Sequence, residues 1–132
     1  MSAPPEIPDL VSRALRAAGS RAWMNATRSE TGRLLAALAA TCAGTIGECG
    51  TGSGVGAAWL RTGAPAGTRV ITVDPDADLV QGARSVLHGA DVTILRGDWR
   101  RLTAYAPFTL LFLGAGDARA VGADQLIGLL SP

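Results

Sequence analysis

The chain has 132 residues, 48% of them hydrophobic, and a formal net charge of +1. That is one domain's length with enough apolar material for a core, and so small a charge excludes long-range attraction to nucleic acid or an anionic membrane. No stretch reaches the roughly 18 apolar residues of a membrane span, and the N-terminus lacks a basic region followed by an apolar run, so a cytoplasmic protein is expected. All 12 basic residues are arginine, as a codon bias that also enriches alanine and glycine would produce. No lysine amine is therefore at hand as a base, a Schiff-base nucleophile or a phosphate clamp. Cys42 and Cys49 match no four-ligand zinc pattern and read as reduced, part-buried thiols.

Residues 1–8, with three prolines, read as a loose leader. Over 9–19, Leu10, Ala14, Leu15 and Ala18 fall on one face, a short amphipathic helix. Thr27 and Glu30 have the spacing of a capping box, and Leu34, Leu35 and Leu38 supply the apolar stripe of a helix over 29–41. After Cys42-Ala43-Gly44 the pattern turns to alternating strands and helices. Strands are predicted at 45–49, 69–73, 92–95 and 109–113, with helices at 53–61, 76–88 and 117–130. Asp76 and Asp78 read as N-cap and first-turn acids of the second of these helices. Strands separated by single helices mean an α/β fold, Rossmann-like and doubly wound, with a mostly parallel sheet flanked by helices. The expectation is a single domain over 1–132, with N-terminal helices at 9–41 and a cofactor-binding α/β part at 44–132.

In such a sheet, ligands sit beyond the carboxyl ends of the strands, near the point where strand order reverses. The notable residues all fall at those ends: Glu48 to Gly54 after the first strand, Asp74 after the second, Gly97-Asp98-Trp99 after the third, and Gly114-Ala115-Gly116 after the fourth. Glu48-Cys49-Gly50-Thr51-Gly52-Ser53-Gly54 is a glycine loop leading into a helix, whose first N–H groups and dipole favour a negative ligand group. That group is a pyrophosphate in a dinucleotide and a carboxylate in S-adenosylmethionine. Glu48 argues between them, because a carboxylate there repels a pyrophosphate and suits an ammonium and a sulfonium. Asp74, 24 residues after Gly50, stands where an acid accepts hydrogen bonds from ribose hydroxyls.

From Thr27 to Gly116 the sequence resembles the class I S-adenosylmethionine-dependent methyltransferases, and within them the catechol and caffeoyl-coenzyme A type O-methyltransferases. Thr27-Arg28-Ser29-Glu30-Thr31-Gly32-Arg33-Leu34-Leu35 is similar to that family's N-terminal helix start, which implies that Thr27 lies against the cofactor. The loop from Glu48 through Gly50, Thr51, Gly52 and Gly54 resembles its first motif, which holds the methionine end. Gly56 falls where the family often has a serine touching the cofactor carboxylate. Asp74 corresponds to the ribose-binding acid, and Gly97-Asp98-Trp99 to the adenine loop. Trp99 either stacks on adenine or caps the helix–sheet core. Trp59 reads as core, Trp23 covers the entrance or anchors the N-terminal helices, and His88 is explained by a helix end.

Two departures stand out. After the fourth strand the family usually has two aspartates separated by alanine, then lysine, and the first aspartate helps bind a divalent metal and the cofactor amine. Here Gly114-Ala115-Gly116-Asp117 occupies that stretch, so no metal site of the family's kind is expected. The sequence also stops at Leu129-Leu130-Ser131-Pro132, which reads as the end of the helix before a fifth strand, so the C-terminal strands are expected to be missing. That would leave strand four as an apolar edge, implying a homodimer or the front portion of a longer protein. The implied function is methyl transfer from S-adenosylmethionine to an oxygen of a small-molecule acceptor, with no catalytic residue identified. The alternative is a non-catalytic module that binds the cofactor or assembles with a partner, and a nicotinamide-dependent dehydrogenase is a third reading.

Overall fold

The computed structural model describes residues 6–19, 27–114 and 121–132. Four strands, β1 (Thr45–Cys49), β2 (Arg69–Asp74), β3 (Val92–Arg96) and β4 (Leu110–Leu113), form one parallel sheet in the order β3-β2-β1-β4. The chain steps outward from β1 to β3 and then returns to the other side of β1. Strand order therefore reverses between β1 and β4, and the glycine loop leaves β1 at that point.

The period-2 alternation of the strands decides which helix covers which face. Ile46 and Val70 are buried on one face with Leu35, Ala39 and Leu60. These come from helices α2 (Ser29–Ala39) and α3 (Val55–Gly63). Helix α1 (Asp9–Ala18) packs on α3, and Val11 and Ala14 share a cluster with Val55, Ala58 and Trp59. Helix α4 (Ala77–Val86) adds Val80 and Ala83 to the interior and is capped by Asp76, whose carboxylate accepts from the N–H groups of Asp78 and Leu79. On the opposite face Cys49, Ile71, Val73 and Leu95 meet Leu102, Phe108 and Leu129. A Cβ on Gly47 would come within 2.8 Å of the Phe108 ring, which is why β1 carries a glycine there.

Several expectations need correcting. Helix α2 is capped at Arg28 with no side-chain hydrogen bond, so Thr27 and Glu30 form no capping box, and the helix ends at Ala39 rather than residue 41. Its buried stripe is Gly32, Leu35 and Ala39, whereas Leu34 and Leu38 are 59% and 43% exposed. The reason is close approach. A Cβ on Gly32 would collide with the Trp59 indole, and one on Gly63 would collide with the Ala36 backbone, so α2 meets α3 along its small residues. Helix α1 turns Val11, Ala14 and Ala18 inward, leaving Leu10 and Leu15 only partly buried.

Between β3 and β4 the sequence reading missed a 3-10 helix at Trp99–Tyr105, capped by Asp98. Of the predicted helix over 117–130, residues 117–120 lie outside those described, and the described part holds only the short helix α5, Ala123–Ile127. The segment Leu129-Leu130-Ser131 is not a helix end. Leu130 makes a parallel bridge to Phe108, with Phe108 N–H donating to Leu129 at 2.8 Å and Ser131 N–H donating to Phe108 at 2.8 Å. Beyond that bridge, β4 is the sheet edge among the described residues, with Leu110 to Leu113 half-buried. Among the described residues no helix is long and apolar enough to cross a membrane. Cys42 and Cys49 are both buried and unbridged.

Candidate functional site

Four loops are tied together at the carboxyl ends of the strands. The N–H groups of Gly50 and Thr51 donate to Val73 O at 2.8 and 3.2 Å, Gly97 N–H to Asp74 O at 2.9 Å, and Gly114 N–H to Cys49 O at 3.1 Å. The loop itself needs glycine at alternate positions, since Gly50, Gly52 and Gly54 have φ of 100°, 52° and 92°. A side chain at any of these positions would be strained.

Glu48, Thr72 and Asp74 project from the same face of the sheet, because Glu48 pairs with Thr72 and Asp74 lies two residues further along β2. Glu48 is 2% exposed. Its Oε1 accepts from Thr72 Oγ1 at 2.6 Å, and Thr72 Oγ1 lies 2.7 Å from Thr51 Oγ1. Glu48 Oε2 lies against Gly56, where an added Cβ would overlap it and would stand 3.1 Å from Thr27 Oγ1. Asp74 is also buried. Its Oδ2 accepts from Gly52 N–H at 3.0 Å and its Oδ1 from Asp76 N–H at 2.9 Å.

A cleft of about 400 Å³ opens beside these groups, a size suited to a small-molecule ligand. Thr27, Glu48, Gly50, Thr51, Gly52, Gly56 and Gly114 line it, so seven of the expected site residues converge on one space. Gly54 is the N-cap of α3 behind the loop. Asp74 stands at the back of the same loop rather than on the cleft wall. Asp98 and Trp99 lie outside the cleft lining, beyond β3. Asp98 caps the 3-10 helix through Arg100 N–H at 2.9 Å and pairs with the Arg100 guanidinium at 2.8 Å. Trp99 packs half-buried on the core of the opposite face, with the Arg100 guanidinium 5.4 Å from its ring centre. Trp59 is buried core, and His88 is exposed beyond the end of α4. Trp23, Ala115, Gly116 and Asp117 lie outside the described residues. Among those described, no group of three or more His, Cys, Asp or Glu side chains could hold a metal.

Six contributors were not among the expected site residues. Arg28, Thr31, Ser53, Val55 and Phe112 line the cleft, and Thr72 holds Glu48. Outside the glycine loop only Thr72 left a signal, as the lone hydroxyl in the otherwise apolar run Val70-Ile71-Thr72-Val73 and in phase with Asp74.

Glu48 places a buried carboxyl oxygen beside Thr27, and the first turn of α3 brings its N–H groups with the positive dipole end to the same cleft.

No family model matches the chain, and no curated protein matches it in sequence. Solved structures do match. An O-methyltransferase from Bacillus cereus in complex with SAH superposes with a TM-score of 0.79 at 22% identity, over 96% of this chain and 64% of that one. The chain has the class I methyltransferase fold. TomG from Streptomyces achromogenes, an O-methyltransferase involved in tomaymycin synthesis and solved with SAM, gives a TM-score of 0.78 at 24% identity, over 96% and 63% of the two chains. Cofactor-bound Rv0187 from MTB gives 0.77 at 27% identity, over 95% and 62%. The chain thus spans less than two thirds of the length of each of these neighbours.

Proposed function

We propose that this chain binds S-adenosylmethionine in the cleft between the glycine loop and α2 and serves methyl transfer to an oxygen of a small-molecule acceptor. The observation that carries the reading is the placement of Glu48. It is a buried carboxylate at the strand-order reversal, held by Thr72 on one oxygen and set against Gly56 and Thr27 with the other. The ammonium of the methionine moiety is the complementary group for a carboxylate at that place. The neighbours solved with SAH or SAM support the same ligand.

When bound, the cofactor supplies an electrophilic methyl group on a sulfonium. The contribution of this chain is binding and orientation. Glu48 Oε2 and Thr27 receive the amine, the first turn of α3 receives the carboxylate, and Asp74 receives the ribose hydroxyls. An ionised carboxylate has about four acceptor sites, and Asp74 commits one on each oxygen to Gly52 and Asp76, so acceptor capacity for a diol remains. In-line displacement depends strongly on such alignment.

Isothermal titration with S-adenosylhomocysteine tests the binding half. Micromolar affinity is expected, and an absence of binding at millimolar ligand would overturn it. Methyl transfer from labelled S-adenosylmethionine to a panel of phenolic and hydroxylated acceptors tests the catalytic half. Binding without transfer would favour the cofactor-sensing alternative. The reading further includes a homodimer through the apolar β4 edge, in a cytoplasmic protein, and sedimentation velocity showing only monomer at micromolar concentration would remove the dimer.

A further inference from the structure

A ligand carboxylate in a solvent-open cleft is held more firmly when a guanidinium joins the backbone N–H groups that receive it. Helix α3 has no side-chain cap. Its first N–H groups lack intrahelical acceptors, since the ladder begins with Ala58 N–H donating to Gly54 O at 2.9 Å. Gly56 can offer only its N–H, because a Cβ there would overlap Glu48 Oε2. The sequence contains no lysine, and of the described residues lining the cleft Arg28 alone is basic. Arg28 is exposed at the head of α2, and its side chain caps nothing. Among the described residues its guanidinium has no ion pair and no hydrogen bond. Arg61, Arg84 and Arg100 are by contrast committed to carbonyl or carboxylate oxygens. The neighbouring residue fixes where Arg28 stands. Thr27 Oγ1 lies 3.1 Å from the place a Cβ on Gly56 would take, so the head of α2 meets the first turn of α3 at the cleft.

We propose that Arg28 binds the carboxylate of the methionine moiety, closing on it from α2 opposite the N–H groups of α3. The inference rests on the S-adenosylmethionine reading above and goes beyond it, since that reading gives the carboxylate to α3 alone. A guanidinium does not lose its charge in a protein, and its planar fork of N–H donors matches the two oxygens of a carboxylate. With no described partner to release, Arg28 can turn onto the ligand without breaking a contact of the fold. Held this way, the carboxylate bridges the heads of α2 and α3.

The test is isothermal titration of wild type, Arg28→Ala and Arg28→Lys with two ligands. One is S-adenosylhomocysteine, and the other is its decarboxylated analogue, which keeps the amine, the thioether and the nucleoside. Arg28→Ala is expected to weaken S-adenosylhomocysteine by about fivefold at low ionic strength, the upper end for a solvent-exposed ion pair. The same variant should bind the decarboxylated analogue as wild type does. Arg28→Lys should fall between the two, because it keeps the charge without the fork. Added salt should weaken S-adenosylhomocysteine more in wild type than in Arg28→Ala. Thermal melts of the three proteins, expected to coincide, check the fold. A merely structural role for Arg28 would weaken both ligands alike, and that result overturns the proposal. Equal affinity of Arg28→Ala and wild type for S-adenosylhomocysteine also overturns it, as it would if Arg28 served an anionic acceptor instead. Failure of the wild type to bind S-adenosylhomocysteine would overturn the cofactor reading, and this inference with it.

Discussion

Substituting Gly56 by alanine sets two opposing effects against each other at one carbon. Gly56 sits in the first turn of α3 with an ordinary helical backbone, so alanine there gains at most about 1 kcal/mol of helix propensity. The added methyl, however, would occupy the place of Glu48 Oε2 and approach Thr27 Oγ1 at 3.1 Å. Glu48 cannot swing aside freely, because Oε1 is held by Thr72 at 2.6 Å. Breaking a hydrogen bond to a charged group costs about 1.5–3 kcal/mol. The difference predicts a net destabilisation of about 0.5–2 kcal/mol, a drop of a few degrees in melting temperature for a domain of this size. Affinity for S-adenosylhomocysteine should fall at least about tenfold, since the displaced oxygen is the one assigned to the amine. Differential scanning calorimetry and isothermal titration on the same preparation measure both. A variant with a raised melting temperature and unchanged affinity would show that the carboxylate is not held against α3, and the site argument would fail.

Glu48→Gln keeps the shape and the acceptor for Thr72 but removes the charge, and should weaken S-adenosylhomocysteine binding by about ten- to a hundredfold with little change in melting temperature. Asp74→Ala removes the acceptor of both Gly52 N–H and Asp76 N–H. It should lower stability by about 1–3 kcal/mol in urea denaturation and weaken S-adenosylhomocysteine more than it weakens free methionine, which lacks the ribose. Gly63→Ala presses a methyl onto the Ala36 backbone, which cannot rotate away. The expected cost is about 1–3 kcal/mol in the same denaturation assay, without a change in ligand specificity.

The parallel sheet could be read from the sequence because its strands are short β-branched runs separated by single helices, and Val70-Ile71-Thr72-Val73 is the clearest of them. The glycine loop could be read because φ above zero at Gly50, Gly52 and Gly54 demands that residue, so geometry leaves a mark in composition. The orientation of α2 could not. Leu34 and Leu38 look like the natural inward stripe, yet Gly32 and Gly63 let two backbones meet, and close approach of small residues outweighed the larger apolar side chains. The capping box failed for a related reason. Thr27 stands before the N-cap, at the cleft, and a threonine there carries no sign of which role it fills. The 3-10 helix after Asp98 was missed because seven residues of such a turn have no apolar period long enough to register. Thr72 shows the limit for buried polar groups. Its hydroxyl is visible in the strand, but its partner is set by β1–β2 register, which only pairing fixes.

The contact between α2 and α3 has a mechanical consequence. Gly32 admits the Trp59 ring and Gly63 admits the Ala36 main chain, so at these two points a glycine hydrogen is all that separates the helices. Such an approach leaves little room for one helix to slide past the other. Thr27 rides at the head of one helix and Gly56 in the opening turn of the other, so the spacing of these two sides of the cleft is set far from its mouth, at a seam made of glycine.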